Sequence, residues 1–355
     1  MYQFIYDLTG NAIISTLAVA VFPLVNVLIA ALIGVYLERK ISAWIQDRVG
    51  PNRTGPFGLF QTIADFLKMM QKEEAVSTSI DKKLYHLAPI LVFAGSFAAY
   101  AAIPFSSKLI GTDADVGIFY VLAISSLVVA GILMAGWSSN NKYSLLGAMR
   151  SAAQIVSYEI PTALIVLSMV MLTGTLSLGK MSEMQTAFFW NWNIFGGAEF
   201  TLAKFLLIPS MVVGFIIIFI STLAEVNRTP FDIPEAESEL VAGYFTEYCG
   251  MKWGIFMLSE YGNMFAVSAI ISILFFGGYQ SPVGYLGNSI GAEWLIPYEQ
   301  AFWFLAKGWF FILVQMWLRW TLPRLRVDQL MAVCWKYLIP YAFVNLIIIG
   351  IISLL

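Results

Sequence analysis

Cysteine and histidine are nearly absent. Two cysteines, Cys249 and Cys334, and a single histidine, His86, stand in 355 residues. An iron–sulfur cluster needs several thiolates and a bis-histidine haem needs two imidazoles, so the chain alone holds neither, and no metal site is expected within it. Charge is scarce too, at 12% of residues with a net charge of −2, and no basic stripe suited to nucleic-acid phosphates is present. There is neither a glycine-rich dinucleotide turn nor a phosphate loop to support a nucleotide site. No internal repeat, low-complexity tract or Gly/Ser linker is found. The chain therefore reads as one domain over 1–355, without the inverted repeats of many transporters. The start, MYQFIYDLTGNAII, has no basic lead and no small-residue cleavage site, and reads as the approach to a first helix rather than a signal peptide.

What fills the chain is apolar. It is 59% hydrophobic with a mean hydropathy of +0.77, which predicts an all-α integral membrane protein. Eight spans are expected: Ala12–Leu37, Leu84–Pro104, Gly117–Trp137, Ser151–Leu178, Phe205–Ala224, Trp253–Gly278, Gln300–Leu318 and Tyr337–Leu355. Lysine and arginine set the orientation. The connections after spans one, three, five and seven carry eight, two, two and four of them, and the intervening ones carry one, one and none. That bias places the first group of connections on the cytoplasmic, or matrix-equivalent, face and both termini outside. The Asn-x-Thr sequences at Asn52 and Asn227 then lie on the inner face and are not glycosylation sites.

Two inner connections carry most of the signal. In the first, GPNRTGP over residues 50–56 marks a turn, and Phe57–Lys72 regains helical period. Phe60, Ile63, Ala64 and Leu67 fall on one side and Gln61, Asp65, Lys68 and Lys72 on the other, the pattern of an amphipathic helix at the interface or packed on the bundle. The second runs from Glu225 to Glu247. Five carboxylates, Glu225, Asp232, Glu235, Glu237 and Glu239, accompany one arginine, Arg228, and Glu247 follows. Thr229-Pro230-Phe231-Asp232 has the grammar of a helix start and Pro234 offers a second, so a short acidic helix is expected there. Such acids can simply cap a surface helix. Six of them beside a membrane suggest more, since a carboxylate at the bilayer centre costs roughly 2.5–3.5 kcal/mol.

Glu159, Glu260 and Lys307 fall inside apolar spans and Glu225 at the end of one. Ionisable groups there default to a functional reading or to ion pairing, and Lys307 is a candidate partner of Glu159 or Glu260. Burial and like-charge neighbours favour protonated carboxylates, as a proton path requires, with Arg228 as a switchable partner. Pro161 is expected to kink the helix beside Glu159.

Four stretches carry a family resemblance: ERKISAWIQDRVGPNRTGPFGLFQTIADFLKMMQKE, SAAQIVSYEIP, AEVNRTPFDIPEAESELVAGYFTEY and RWTLPRLRVDQLM. In order and over nearly the whole chain, they resemble the family of respiratory complex I membrane components that comprises NADH dehydrogenase subunit 1 and its bacterial counterpart. The resemblance implies a membrane subunit of proton-pumping NADH:quinone oxidoreductase, in an energy-transducing membrane such as a bacterial inner membrane, that docks the peripheral arm and contacts other membrane subunits. Its substrate is a quinone, ubiquinone or menaquinone. FMN and iron–sulfur clusters reside in partner subunits, and none of these cofactors is bound by this chain. It implies no catalytic residue of the chain's own. The quinone-tunnel residues it implies are Arg39, Arg48, Phe57, Asp65, Lys68, Arg228 and Arg324. The acids of the coupling relay are Glu159, Glu225, Asp232, Glu235, Glu237, Glu239, Glu247 and Glu260. The competing readings are a homologous subunit of a membrane-bound hydrogenase or formate hydrogenlyase, a free-standing proton or cation transporter, and a structural anchor. The loops at Lys180–Glu199 and Tyr279–Pro297 have no place in the resemblance, and no function is attached to them.

Overall fold

The computed structural model describes residues 6, 10–197, 202–234 and 237–354. Among these residues the regular structure is helical. The helices are α1 (Ala12–Ile45), α2 (Gln61–Gln71), α3 (Lys82–Ala99), α4 (Gly117–Ser138), α5 (Lys142–Thr173), α6 (Leu178–Met184), α7 (Leu202–Glu225), α8 (Glu237–Leu240), α9 (Gly250–Phe275), α10 (Leu286–Ile290) and α11 (Ile296–Thr321). A last helix, α12, runs over Val327–Ser353 with a π turn at Val333–Leu338. Seven are long and apolar enough to cross a membrane. The remaining expected span, α3, is an 18-residue helix that begins at Lys82-Lys83 and is not among the seven.

α9 is the central post. Some 78% of its apolar stretch is buried inside the protein, against 29% for α1 and 33% for α11, so α9 faces protein while its neighbours also face outward. It packs on α1, α2, α3, α7 and α11, and α5 gathers α4, α7 and α12. Close approach needs small residues. A Cβ at Gly34 of α1 would stand 2.8 Å from the Tyr261 ring on α9.

Helix limits differ from the expected spans where charge was taken as an end. α1 continues past Glu38 to Ile45, because Glu-Arg-Lys breaks hydropathy but not helix. α5 begins at Lys142, where the Asn141 side chain accepts from the Tyr143 amide at 3.0 Å, so Arg150 is intrahelical. Pro161 lies inside α5, where its missing N–H frees the Ser157 carbonyl. The Cys334 thiol of α12 donates to that carbonyl at 3.1 Å.

The connections after α1, α4, α7 and α11 are tied together at one end of the bundle. Asp81 N donates to Ser138 O (3.1 Å), Tyr85 Oη to Glu247 O (2.8 Å), and Leu325 N to Pro230 O (3.1 Å). At the opposite end, Gln185 Nε2 donates to Ile273 O at 2.7 Å and Ser107 N to Gln300 Oε1 at 3.0 Å.

The acidic connection corrects one expectation. Of the two possible starts, Thr229-Pro230 opens no helix, since the chain turns through 226–231, and the short acidic helix, α8, lies after Pro234 at Glu237–Leu240. Gln154 of α5 explains the turn. Its amide donates to Ala224 O (2.8 Å), Asn227 Oδ1 (3.1 Å) and Phe231 O (2.8 Å), folding this stretch tightly against α5. Tertiary hydrogen bonds thus override a local cap signal.

Candidate functional site

α2 is amphipathic as expected, but the structure decides which side goes where. Phe60, Ile63, Leu67 and Met70 point outward. Thr62, Asp65, Phe66 and Met69, spaced to share the opposite face, turn toward α1 and α9. Gly58 makes the preceding turn possible: it sits at φ +79°, and a Cβ there would lie 2.3 Å from Pro51 O.

Between α2, the second half of α1 and the start of α9 lies a cavity of about 930 Å³. Its walls are chiefly apolar, including Leu28, Leu32, Val35, Met69, Met257 and Leu258. One rim is charged. Arg39 pairs with Asp65, and Lys68 Nζ stands 3.3 Å from the same carboxylate. Burial raises the Asp65 pKa, but the hydrogen bond and charge of Arg39, with Lys68 behind them, outweigh it and hold the carboxyl below its ordinary 3.8.

Glu38 and Tyr261 form the deep wall and belong to a buried charge cluster. Glu38 accepts from Arg228 Nη1 at 2.9 Å and 3.1 Å, from Arg319, and from the Tyr261 hydroxyl. Arg228 Nε stands 2.8 Å from Glu260 Oε1, and the guanidinium lies 4.6 Å from the Tyr261 ring centroid. Arg228 is 3% exposed, so its charge is stabilised by these partners rather than by bulk water. Burial disfavours its charge, yet Glu260 and Glu38 together raise its pKa well above normal. Arg324 Nη2 pairs with Asp232 Oδ2 at 3.0 Å, while Asp232 Oδ1 is buried with no hydrogen-bond partner among the described residues. Burial lifts the Asp232 pKa above its ordinary value despite Arg324, Arg319 and Arg228 nearby.

The remaining acids are spread along the bundle. Glu225 accepts from Thr162 Oγ1 at 2.6 Å across the α5–α7 contact, and Glu159 accepts from Ser125 Oγ of α4 at 3.3 Å. Glu239 pairs with Arg150 at 2.6 Å and Glu247 accepts from Asn141 at 2.9 Å. Glu235 lies outside the described residues, and Glu237 is placed only as the first residue of α8.

Of the residues singled out in sequence, Arg39, Asp65 and Lys68 line the cavity, and Arg228 meets it through Glu38 and Tyr261. Arg48 and Phe57 do not line it. Arg48 is exposed and bonded to Gln46; Phe57 is 75% exposed, and its carbonyl accepts from Tyr36 Oη at 3.0 Å. Lys307 pairs with neither Glu159 nor Glu260. Its ammonium donates to the carbonyls of Phe276, Gly278 and Gln280 at 2.7, 2.9 and 2.7 Å and sits over the Trp192 ring at 4.2 Å. It caps the C-terminus of α9, where a cation complements the dipole. Sequence reasoning missed Glu38, Tyr261 and Arg319. The available signal was the lack of any helix breaker between Leu37 and Gly50, which keeps Glu38 on the membrane helix beside Arg39.

The sequence matches the family described as NADH dehydrogenase over residues 17–350. It is 53% identical to the NADH-quinone oxidoreductase H subunit of Chlorobium luteolum, over 94% of this chain and 88% of that protein. The same protein of Chlorobaculum tepidum is also 53% identical, over 94% of this chain and 91% of its own length. The NADH-quinone oxidoreductase H subunit 2 of Cytophaga hutchinsonii is 42% identical over 94% and 98%. With likeness at that level over nearly its full length, this helical membrane protein belongs to the NADH dehydrogenase family, within the group of complex I membrane components that comprises the bacterial H subunit and NADH dehydrogenase subunit 1.

Proposed function

We propose that the chain forms the passage by which a membrane quinone reaches its site of reduction at the junction with the peripheral arm of the complex. The observation that carries this is the apolar cavity of about 930 Å³ bounded by an amphipathic helix and ending on a buried charge cluster. Its size lies at the upper end of the roughly 300–1,000 Å³ typical of small-molecule sites. Apolar walls suit an isoprenoid tail, and Arg39, Asp65 and Lys68 at the rim suit a polar ring. Redox chemistry is left to the FMN and iron–sulfur centres of partner subunits.

The acids begin the coupling path. Negative charge arising on a reduced quinone near Arg39 and Lys68 acts on the Glu38–Arg228–Glu260 cluster next to it. Arg228 shares its charge between two carboxylates, so a change at the cavity shifts that balance and moves a proton onward through Asp232, Glu225 and Glu159. The exposed Glu239 and the half-buried Glu247 serve as the entry side. The lysine and arginine bias supports a cavity end on the cytoplasmic face and termini outside.

The test is photoaffinity labelling of native membranes with a quinone analogue, followed by peptide mapping. Label within 50–72 or 227–254, displaced by quinone-site inhibitors, is the expected result. Label confined to partner subunits, with turnover insensitive to such inhibitors, overturns the proposal and favours a hydrogenase-type subunit without quinone.

A further inference from the structure

The loop at 184–197 and the connection at 276–292 together contain no charged residue, which is unusual for loops in water. The structure joins them. Phe188 N donates to Ser281 O at 3.0 Å and Phe189 N to Pro282 O at 3.1 Å, at the end of the bundle opposite the charge cluster. Phe188 and Trp190 stack at 5.2 Å, and Phe189 meets Trp190 edge-on at 4.7 Å. All three stay 41–53% exposed, and Val283 and Leu286 beside them are 71% and 64% exposed.

Their depth follows from α11. α9 ends at Phe275, and Lys307 of α11 reaches the carbonyls just beyond that end. From Lys307, α11 continues about three turns to Ile296, or about 16 Å at 1.5 Å per residue. The connection climbs alongside that stretch: Gln280 O is bound by Lys307, and Leu286 N donates to Glu299 at 3.2 Å. On the same stretch Phe302 is 63% exposed, as on a membrane helix facing lipid. The aromatic cluster, paired to residues 281–282, therefore lies level with membrane-facing α11 and not beyond it.

We infer that Phe188, Phe189 and Trp190, with Val283 and Leu286, form an anchor seated in the leaflet at this end of the bundle, its occupant the headgroup–acyl boundary of phospholipid. Aromatic rings concentrate at that boundary. Irregular backbone is tolerated there because water still reaches its free amides, as it does not in the hydrocarbon centre. An interface core shares the lack of charge and the aromatic content, so lipid is selected here by the cluster's level beside the outward-facing Phe302 of α11.

The experiment places p-benzoylphenylalanine at residue 190 (Trp190→p-benzoylphenylalanine) in the assembled complex in native membranes, with ultraviolet crosslinking and mass spectrometry. Phe302→p-benzoylphenylalanine is the positive control, and Phe189→p-benzoylphenylalanine serves if the first variant fails to assemble. A phospholipid adduct on the 184–197 peptide is expected, at a yield within a few-fold of the control. An adduct to another polypeptide overturns the inference, as does the lack of a lipid adduct where the control gives one.

Discussion

Replacing Lys307 by methionine separates two readings of a buried lysine. Methionine keeps much of the volume and removes the ammonium, leaving the carbonyls of Phe276, Gly278 and Gln280 without their shared donor. Each unsatisfied buried acceptor costs about 1–3 kcal/mol, partly offset because the cation no longer has to be desolvated. A net loss of about 3 kcal/mol in the local closing equilibrium is the reasonable centre of that range, or on the order of 100-fold. The effect is local, so amide hydrogen exchange in the assembled complex is the assay. The amides of Phe276 and Gly278 donate to Ser272 O at 2.9 and 2.8 Å, and that of Gln280 to Gly277 O at 2.8 Å. They should exchange roughly 100-fold faster in Lys307→Met, while quinone reduction and proton translocation per turnover hold. Exchange within about three-fold of wild type, together with lost coupling, would refute the cap and return Lys307 to the membrane acids.

The charge cluster calls for a double-mutant cycle. Glu38→Gln leaves two arginines around one Glu260 carboxylate and should shorten the thermal half-life of the complex sharply, whereas adding Arg319→Met should restore much of it; additive losses would mean the two do not interact. At the cavity rim, Asp65→Asn should raise the apparent quinone KM several-fold with little change in kcat. Because Asp65 is held below 3.8, that effect should be constant from about pH 5 to about pH 8, and a KM change confined to one end of that range would count against the pairing. Asp232 has the opposite sign. Its raised pKa means the folded state binds the proton more tightly than the unfolded one, so its contribution to stability is full below about 3.8 and is lost as pH rises through the folded value. Asp232→Asn should flatten this dependence of the thermal half-life, and an unchanged slope would exclude Asp232 as its source.

Composition and hydropathy alone determined that the chain is a helical membrane protein, and the four motifs alone determined its family. Both are local or cumulative properties: a run of apolar residues is enough to specify a spanning helix whatever surrounds it. The amphipathic period of Gln61–Gln71 was equally legible. Which of its faces turned inward was not, because both Asp65 and Phe66 find partners on α1 and α9 that no spacing rule reveals. The same limit explains the errors. Glu38 looked like the first residue of a polar connection, yet it is the residue on which Arg228, Arg319 and Tyr261 converge from distances of 190, 281 and 223 positions. Lys307 looked like a partner for a membrane acid, but the nearest unsatisfied acceptors were the carbonyls at the end of α9. Thr229-Pro230 carried a helix-start signal that Gln154, on another helix, cancels by claiming the surrounding acceptors. Sequence therefore decided which groups enter the membrane, and tertiary structure decided how each is solvated there, since in a low-dielectric interior the partner of a charge is whichever group the packing brings within about 3 Å.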